Sequence, residues 1–117
     1  MSNIVIPTKT LPVNFGPLRD ADGNARIKGP CGDTMEFWVG VENNEITIAT
    51  YTTDGCYYSI MCGSAAALLA VGKETGFIQK FKPEFVLAIV DDIPKDHQHC
   101  ALLAVNTLKA AVNEYLA

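Results

Sequence analysis

The chain has 117 residues, 49% of them apolar and 19% charged, with a formal net charge of −4. That is one domain's length, with enough apolar residues to bury a core without covalent staples. Nine Lys and Arg, scattered along the chain, exclude the basic footprint of a nucleic-acid binder. No apolar run approaches the ~20 residues of a membrane span. The N-terminus, Met1-Ser2-Asn3-Ile4-Val5-Ile6-Pro7, lacks the basic start and apolar stretch of a secretory signal, so a cytoplasmic location is expected. In that compartment four cysteines point to metal binding, catalysis or core packing before disulfides.

In chain order, residues 1–13 read as a loose arm broken by Pro7 and Pro12, ahead of a single domain. Ala21-Asp22-Gly23-Asn24 carries a turn signal, which suggests an edge hairpin ending near Ile27-Lys28. Gly29-Pro30 bends the chain before Cys31. Thr34–Val41 alternates: Met35, Phe37, Val39 and Val41 share a buried face, and Trp38 lies opposite. Glu42-Asn43-Asn44-Glu45 is a turn into a second strand, Ile46–Thr52, with Ile46, Ile48 and Thr50 on one side. Tyr57–Val71 reads as a helix stopped by Gly72. Short helical pieces occupy Gly76 to Val90, with Pro83 in a first turn. A last long helix runs from about His97 to Leu116, its apolar stripe formed by Ala101, Ala104, Leu108, Ala111, Val112 and Tyr115. Strands followed by helices give an α+β fold, a small antiparallel sheet with helices on one face.

Three cysteines fall at element ends. Cys31 precedes the first clear strand, Cys56 follows the second, and Cys100 opens the last helix. Element ends meet at the rim of a two-layer domain, where these three can converge. Cys56 and Cys100 both sit where a helix N-terminus favours a thiolate, so a lowered thiol pKa is expected for both. Cys62 lies about 240° further round its helix from Cys56 and reads as core. Asp33 and His99 flank the rim cysteines, whereas His97 reads as a solvated loop residue and Tyr57-Tyr58 as packing or a lid. Soft sulfurs with one nitrogen and one oxygen suit zinc, copper(I) or iron–sulfur clusters, although no Cys-x-x-Cys pair is present. Spacing alone leaves the choice open.

The segments together are more specific. Gly29-Pro30-Cys31-Gly32-Asp33 resembles the Cys-Gly-Asp motif of the U-type iron–sulfur cluster scaffold family, which comprises IscU and the N-terminal domain of NifU. Thr53-Asp54-Gly55-Cys56 resembles its second motif and His99-Cys100-Ala101-Leu102-Leu103-Ala104 its third. The resemblance spans roughly residues 14–116. It implies a three-stranded antiparallel sheet with helices, and a scaffold rather than an enzyme. Such a scaffold builds a transient 2Fe-2S cluster from iron and the sulfur of a cysteine desulfurase, then passes it to apo iron–sulfur proteins. It also implies the ligand set Cys31, Cys56 and Cys100, with Asp33 and His99 completing or tuning the site; zinc is expected to fit the same donors. Three features depart from the family: the short Pro-containing arm; Asp92-Ile93-Pro94-Lys95-Asp96-His97 where the stretch recognised by an Hsp70-type chaperone belongs, which weakens the expectation of that partner and puts His97 where lysine is usual; and Tyr57-Tyr58 where small residues are usual. The rival readings are a zinc-bound persulfide acceptor of the same fold, a cysteine-nucleophile enzyme and a structural zinc domain.

Overall fold

The alternation of Thr34–Val41 is realised as strand β2, Thr34–Glu42, at the centre of a three-stranded antiparallel sheet of order β1-β2-β3. The computed structural model describes residues 11–30, 32–90 and 92–117. Most of the expected N-terminal arm and Cys31 lie outside the described residues. Strand β1 is Gly23–Lys28 and β3 is Glu45–Thr53. Helices follow: α1, Tyr57–Ala70; α2, Thr75–Ile78; α3, Pro83–Ile89; and α4, His99–Leu116, preceded by a single 3-10 turn at Lys95–His97.

Met35, Phe37 and Val39 are fully buried and share one core with the inward sides of α1 and α4. Helix α4 lies across β1 and β2, and α1 lies across β3. The buried stripe of α4 is wider than the apolar periodicity suggests, since Cys100, Leu103, Val105 and Thr107 are buried with Ala101, Ala104, Leu108, Ala111 and Val112. Thr107 satisfies its hydroxyl by donating to the Leu103 carbonyl at 2.7 Å.

Two sequence-based expectations are corrected. Asp22-Gly23 is not a hairpin turn. Gly23 begins β1, which pairs with β2 from Gly23↔Val39 to Lys28↔Thr34, and the connection is the loop around Gly29-Pro30 and Gly32-Asp33. The glycine serves a close approach: a Cβ at position 23 would collide with the Ala111 carbonyl oxygen of α4. Asp22 instead accepts the Val41 amide at 2.7 Å. The second correction concerns β3, where Ile46 is buried but Ile48 is 42% exposed and Ala49 and Tyr51 point inward. The register shifts at Gly40/Val41, so that Val41 pairs with Ile46 and Gly40 with Ile48. Thr47 is therefore the extra residue of a bulge, and one extra residue reverses which side chains face the core.

The β2–β3 turn places Asn43 and Asn44 both at positive φ, 53° and 67°, as a two-residue type I′ hairpin requires. The outer edge of β3 is covered by the chain around Asn14–Gly16, where Gly16 donates to Tyr51 O (2.7 Å) and Tyr51 donates to Asn14 O (3.1 Å). Covering that edge removes a template for pairing with another chain. The Tyr51 hydroxyl donates to Ile60 O at 2.6 Å and ties β3 to α1.

Candidate functional site

The β1–β2 loop, the β3–α1 junction and the start of α4 meet at one rim, and a set of hydrogen bonds fixes the first two together. Thr34 N donates to Asp54 Oδ1 (2.7 Å), Asp54 N to Thr34 O (3.3 Å), and Thr53 Oγ1 to Thr34 O (2.8 Å). The Thr34–Asp54 pair thereby holds Asp33, one residue before Thr34, and Cys56, two residues after Asp54, in a set relation. Gly32, next to Asp33, has φ of +89° with open space around its Cα, so glycine is needed there for the backbone and not for room.

Cys56 is the N-cap of α1 and is exposed. Cys100 lies in the first turn of α4 and is fully buried. Between them stands Ser59, 0% exposed. Its hydroxyl reaches Asp33 Oδ2 at 3.0 Å and Cys100 Sγ at 3.4 Å, and lies 4.0 Å from Cys56 Sγ. A serine carries one hydroxyl proton and two acceptor lone pairs, so Ser59 donates to only one of the carboxylate and the Cys100 sulfur at a time. His99 Nε2 is 3.9 Å from Cys100 Sγ, and His97 Nδ1 is 3.8 Å from Cys56 Sγ. Two groups of possible metal donors result: Asp33, His99 and Cys100, and Cys56, His97 and Cys100. In each group the donor atoms lie within 4.8 Å of one another.

The expected set is thus brought together at Asp33, Cys56, His99 and Cys100. Cys31, the fifth member, lies outside the described residues. Cys62 is fully buried in the core, as its helical phase requires.

The two thiols at the helix starts differ in acidity. At Cys56 burial acts to raise the thiol pKa, but hydrogen bonding by the Ser59 and Tyr58 amides, the Ser59 hydroxyl and Cys100 outweighs it, and the thiol is held below its usual value. At Cys100 burial prevails. The Ser59 hydroxyl pulls the other way, while the negative charges of Cys56 and Asp33 add to the rise, and the thiol lies above its usual value. The expectation that both helix starts lower a cysteine pKa holds for Cys56 and fails for Cys100, because dehydration there exceeds what the helix end supplies. Cys62 is pushed up to about 12, first by burial and then by the charges of Cys100 and Cys56.

Sequence reasoning did not single out Ser59. Its signal was its position one helical turn after Cys56, where a side chain returns to the face of the N-cap. Nor is His97 merely a solvated loop residue. It is half-buried and its ring lies 4.5 Å from that of Tyr58, tilted by 35°. Tyr57 meets Tyr58 edge to face at 5.5 Å, and the His97 and His99 rings stack at 6.2 Å.

A small α+β domain that gathers thiols, imidazoles and a carboxylate at one rim has the donor chemistry of a protein that handles thiophilic metals. Comparison with known proteins narrows that class. Residues 2–117 match the NifU-like N terminal domain, and the chain belongs to that family. Among curated relatives, the iron–sulfur cluster assembly scaffold protein IscU 1 of Archaeoglobus fulgidus is 33% identical over 105 residues, spanning 89% of this chain and 69% of the relative. The IscU scaffold protein of Aquifex aeolicus is 31% identical over 108 residues, spanning 90% and 69%. Two solved structures share the fold. A putative iron–sulfur cluster assembly scaffold protein for the SUF system from Fervidobacterium islandicum superposes with TM-score 0.70 at 18% identity, over 86% of this chain and 87% of that one. A NifU-like N-terminal structure from Brucella abortus gives 0.69 at 12% identity, over 92% and 88%. Among the described residues no helix is long and apolar enough to cross a membrane.

Proposed function

We propose that this chain is a scaffold for iron–sulfur cluster assembly, building a labile 2Fe-2S cluster as its cargo and transferring it to apo iron–sulfur proteins. The observation that carries this reading is the convergence of Asp33, Cys56, His99 and Cys100 around one buried serine, in a chain whose relatives are named as such scaffolds. The ligands proposed are Cys31, Cys56 and Cys100, with Asp33 or His99 as the fourth. A set with one hard or borderline donor among thiolates holds a cluster less firmly than four thiolates, which suits a carrier that must release it.

The unequal thiols divide the work. Cys56, exposed and acidic, is the acceptor of sulfur from a cysteine desulfurase. Its thiolate attacks the outer sulfur of the desulfurase persulfide, the S–S bond breaks, and the desulfurase leaves as a thiolate. Cys56 then carries the persulfide, and two electrons from an external reductant convert its outer sulfur to sulfide. Cys100, buried and less acidic, keeps its proton until iron displaces it, because a coordinating thiol is deprotonated by the metal. Three cysteines acting together as ligands fit carriage better than a single-nucleophile enzyme, and residence in the cytoplasm is the compartment proposed. The zinc-bound persulfide acceptor is set aside, since the curated relatives are named as cluster assembly scaffolds; zinc nevertheless suits the same donors.

The test is anaerobic assembly. Purified protein is mixed with iron(II), cysteine, a cysteine desulfurase and a reductant while the visible spectrum is followed. Sulfide-to-iron charge-transfer bands are expected with the wild type and with Cys62→Ser, and are lost with Ser at Cys31, Cys56 or Cys100. Full assembly by the Cys56→Ser and Cys100→Ser variants would overturn the reading.

A further inference from the structure

We propose that His97 is a metal ligand in this chain, completing with Cys56 and Cys100 a three-donor seat for one thiophilic divalent ion. The proposal deepens the scaffold reading and rests on it only in taking Cys56 and Cys100 as metal ligands.

The geometry is close to that of a filled seat. A tetrahedral ion with zinc-like bonds of about 2.3 Å to sulfur and 2.0–2.1 Å to nitrogen sets its sulfur and nitrogen donors about 3.6 Å apart and two sulfurs about 3.8 Å apart. Cys56 Sγ and His97 Nδ1 are already 3.8 Å apart, and all three donor atoms lie within 4.8 Å of one another. Closing on an ion therefore shortens the sulfur–nitrogen separations by at most about 1.2 Å and the sulfur–sulfur separation by at most about 1 Å, within the reach of side-chain rotation.

The imidazole is also held for the task. Tyr58, two residues beyond Cys56 in the first turn of α1, lays its ring 4.5 Å from the His97 ring. Tyr57 in turn meets Tyr58 edge to face. The 3-10 turn Lys95–His97 fixes the backbone, with His97 N donating to Pro94 O at 2.9 Å. The bulky pair after Cys56 and the histidine that ends the 3-10 turn are thus one arrangement: the tyrosine that crowds the rim is the surface against which the histidine lies. A ring supported on one face loses less freedom when it binds an ion.

The two donor groups share Cys100, but they are not equally open. In the other group Asp33 Oδ2 already accepts the Ser59 hydroxyl at 3.0 Å, so an ion there shares that oxygen with the serine or takes the carboxylate's second oxygen. Cys56 and His97 face each other at the exposed side of the rim, where an ion arrives. The first equivalent of a soft divalent ion accordingly takes Cys56, His97 and Cys100.

Cobalt(II) is the probe, because its visible bands report coordination number and donor type without any cluster assembly. Metal-free protein is mixed anaerobically with increasing cobalt(II). The wild type is expected to give the intense visible bands of a tetrahedral ion. His97→Ala should weaken binding at least about tenfold, the lower end of what even an outer partner of a metal site contributes, and should shift the bands. His97→Cys should restore tight binding and add a thiolate-to-cobalt charge-transfer band, which requires position 97 to be inside the coordination sphere and does not depend on how the alanine variant folds. Unchanged affinity and spectrum in His97→Ala, or no added thiolate band in His97→Cys, overturns the proposal. If cobalt binding then still disappears in Cys56→Ser, only the role of His97 has failed. If the wild type binds no cobalt at all, the metal-site reading beneath it fails as well.

Discussion

Replacing Gly55 with alanine tests how the site is built, because a single methyl group at that position enters its interior. The added Cβ would lie 2.5 Å from Ser59 Oγ, 2.7 Å from Asp33 Oδ2 and 2.7 Å from Ser59 Cβ. Ordinary contact begins near 3.4 Å, so these separations must open by 0.9, 0.7 and 0.7 Å respectively. Ser59 is buried on the first turn of α1 and cannot retreat without moving the helix start; Asp33 can move, at the cost of its hydrogen bond. Overpacking of this kind costs about 1–3 kcal/mol, and the lost hydrogen bond about 0.5–1.5 kcal/mol. The alanine gains about 0.4–1 kcal/mol by restricting the unfolded chain. The net is a loss of about 1–3 kcal/mol. At roughly 2.1 cal/mol/K per residue a domain of this length has an unfolding entropy near 0.25 kcal/mol/K, so Tm should fall by about 4–12 °C. Gly76→Ala is the internal control. Position 76 lies in α2 with nothing within 4 Å of its prospective Cβ, and alanine there should raise Tm by about 2–4 °C. Thermal unfolding followed by circular dichroism measures both, and cluster assembly is compared at a temperature where both are folded. A Gly55→Ala protein as stable as Gly76→Ala, with wild-type assembly, would refute the view that Gly55, Ser59 and Asp33 are packed into one unit.

Four further outcomes follow from the same geometry. Ser59→Ala should lower stability by about 1–2 kcal/mol, the worth of one buried hydroxyl between a carboxylate and a sulfur, and should move the Cys56 thiol back up toward its usual pKa; denaturant unfolding and thiol alkylation against pH read the two effects. Iodoacetamide should modify Cys56 first, with a midpoint below that of an ordinary thiol, and Cys100 later with a midpoint above it, as peptide mapping by mass spectrometry will show. Cys62→Ala should retain cluster assembly and lose part of the alkaline destabilisation: the folded Cys62 pKa of about 12 exceeds the ordinary 9.0, so its neutral thiol contributes stability below pH 9 that is lost as pH rises toward 12, at about 1.4 kcal/mol per unit. Asp33→Ala should slow cluster release, so that the charge-transfer bands persist longer after addition of an apo-acceptor.

Much of this architecture is legible in the sequence because period and punctuation agree. Met35, Phe37 and Val39 alternate and are buried; Gly72 ends α1 with φ of +88°; Pro83 opens α3. The misreadings have physical causes. A glycine that admits a neighbouring helix, as Gly23 does for α4, is indistinguishable in one sequence from a glycine that turns the chain. A bulge leaves no mark on composition, so plain alternation puts Ile46 and Ile48 on one side of β3, whereas Ile46 is buried with Ala49 and Tyr51 and Ile48 is exposed. At the site, the element ends place Asp33, Cys56, His99 and Cys100 at one rim. The acidity of Cys100 depends on how deeply α4 packs, which is a tertiary property. Ser59 and the Tyr58–His97 contact are legible only once the helix phase of α1 and the path of the 3-10 turn are both known.

On the function proposed here, the rim holds a cluster in order to give it away. This is tested most directly by loading the protein with a cluster, separating it from free iron and sulfide, and adding a metal-free ferredoxin while both spectra are followed under a chelator that captures released iron. The scaffold bands should fall as the ferredoxin bands rise, with little iron reaching the chelator, and Asp33→Ala should slow both changes together. A cluster that stays on this chain, or whose iron goes to the chelator in place of the ferredoxin, would contradict the proposed function.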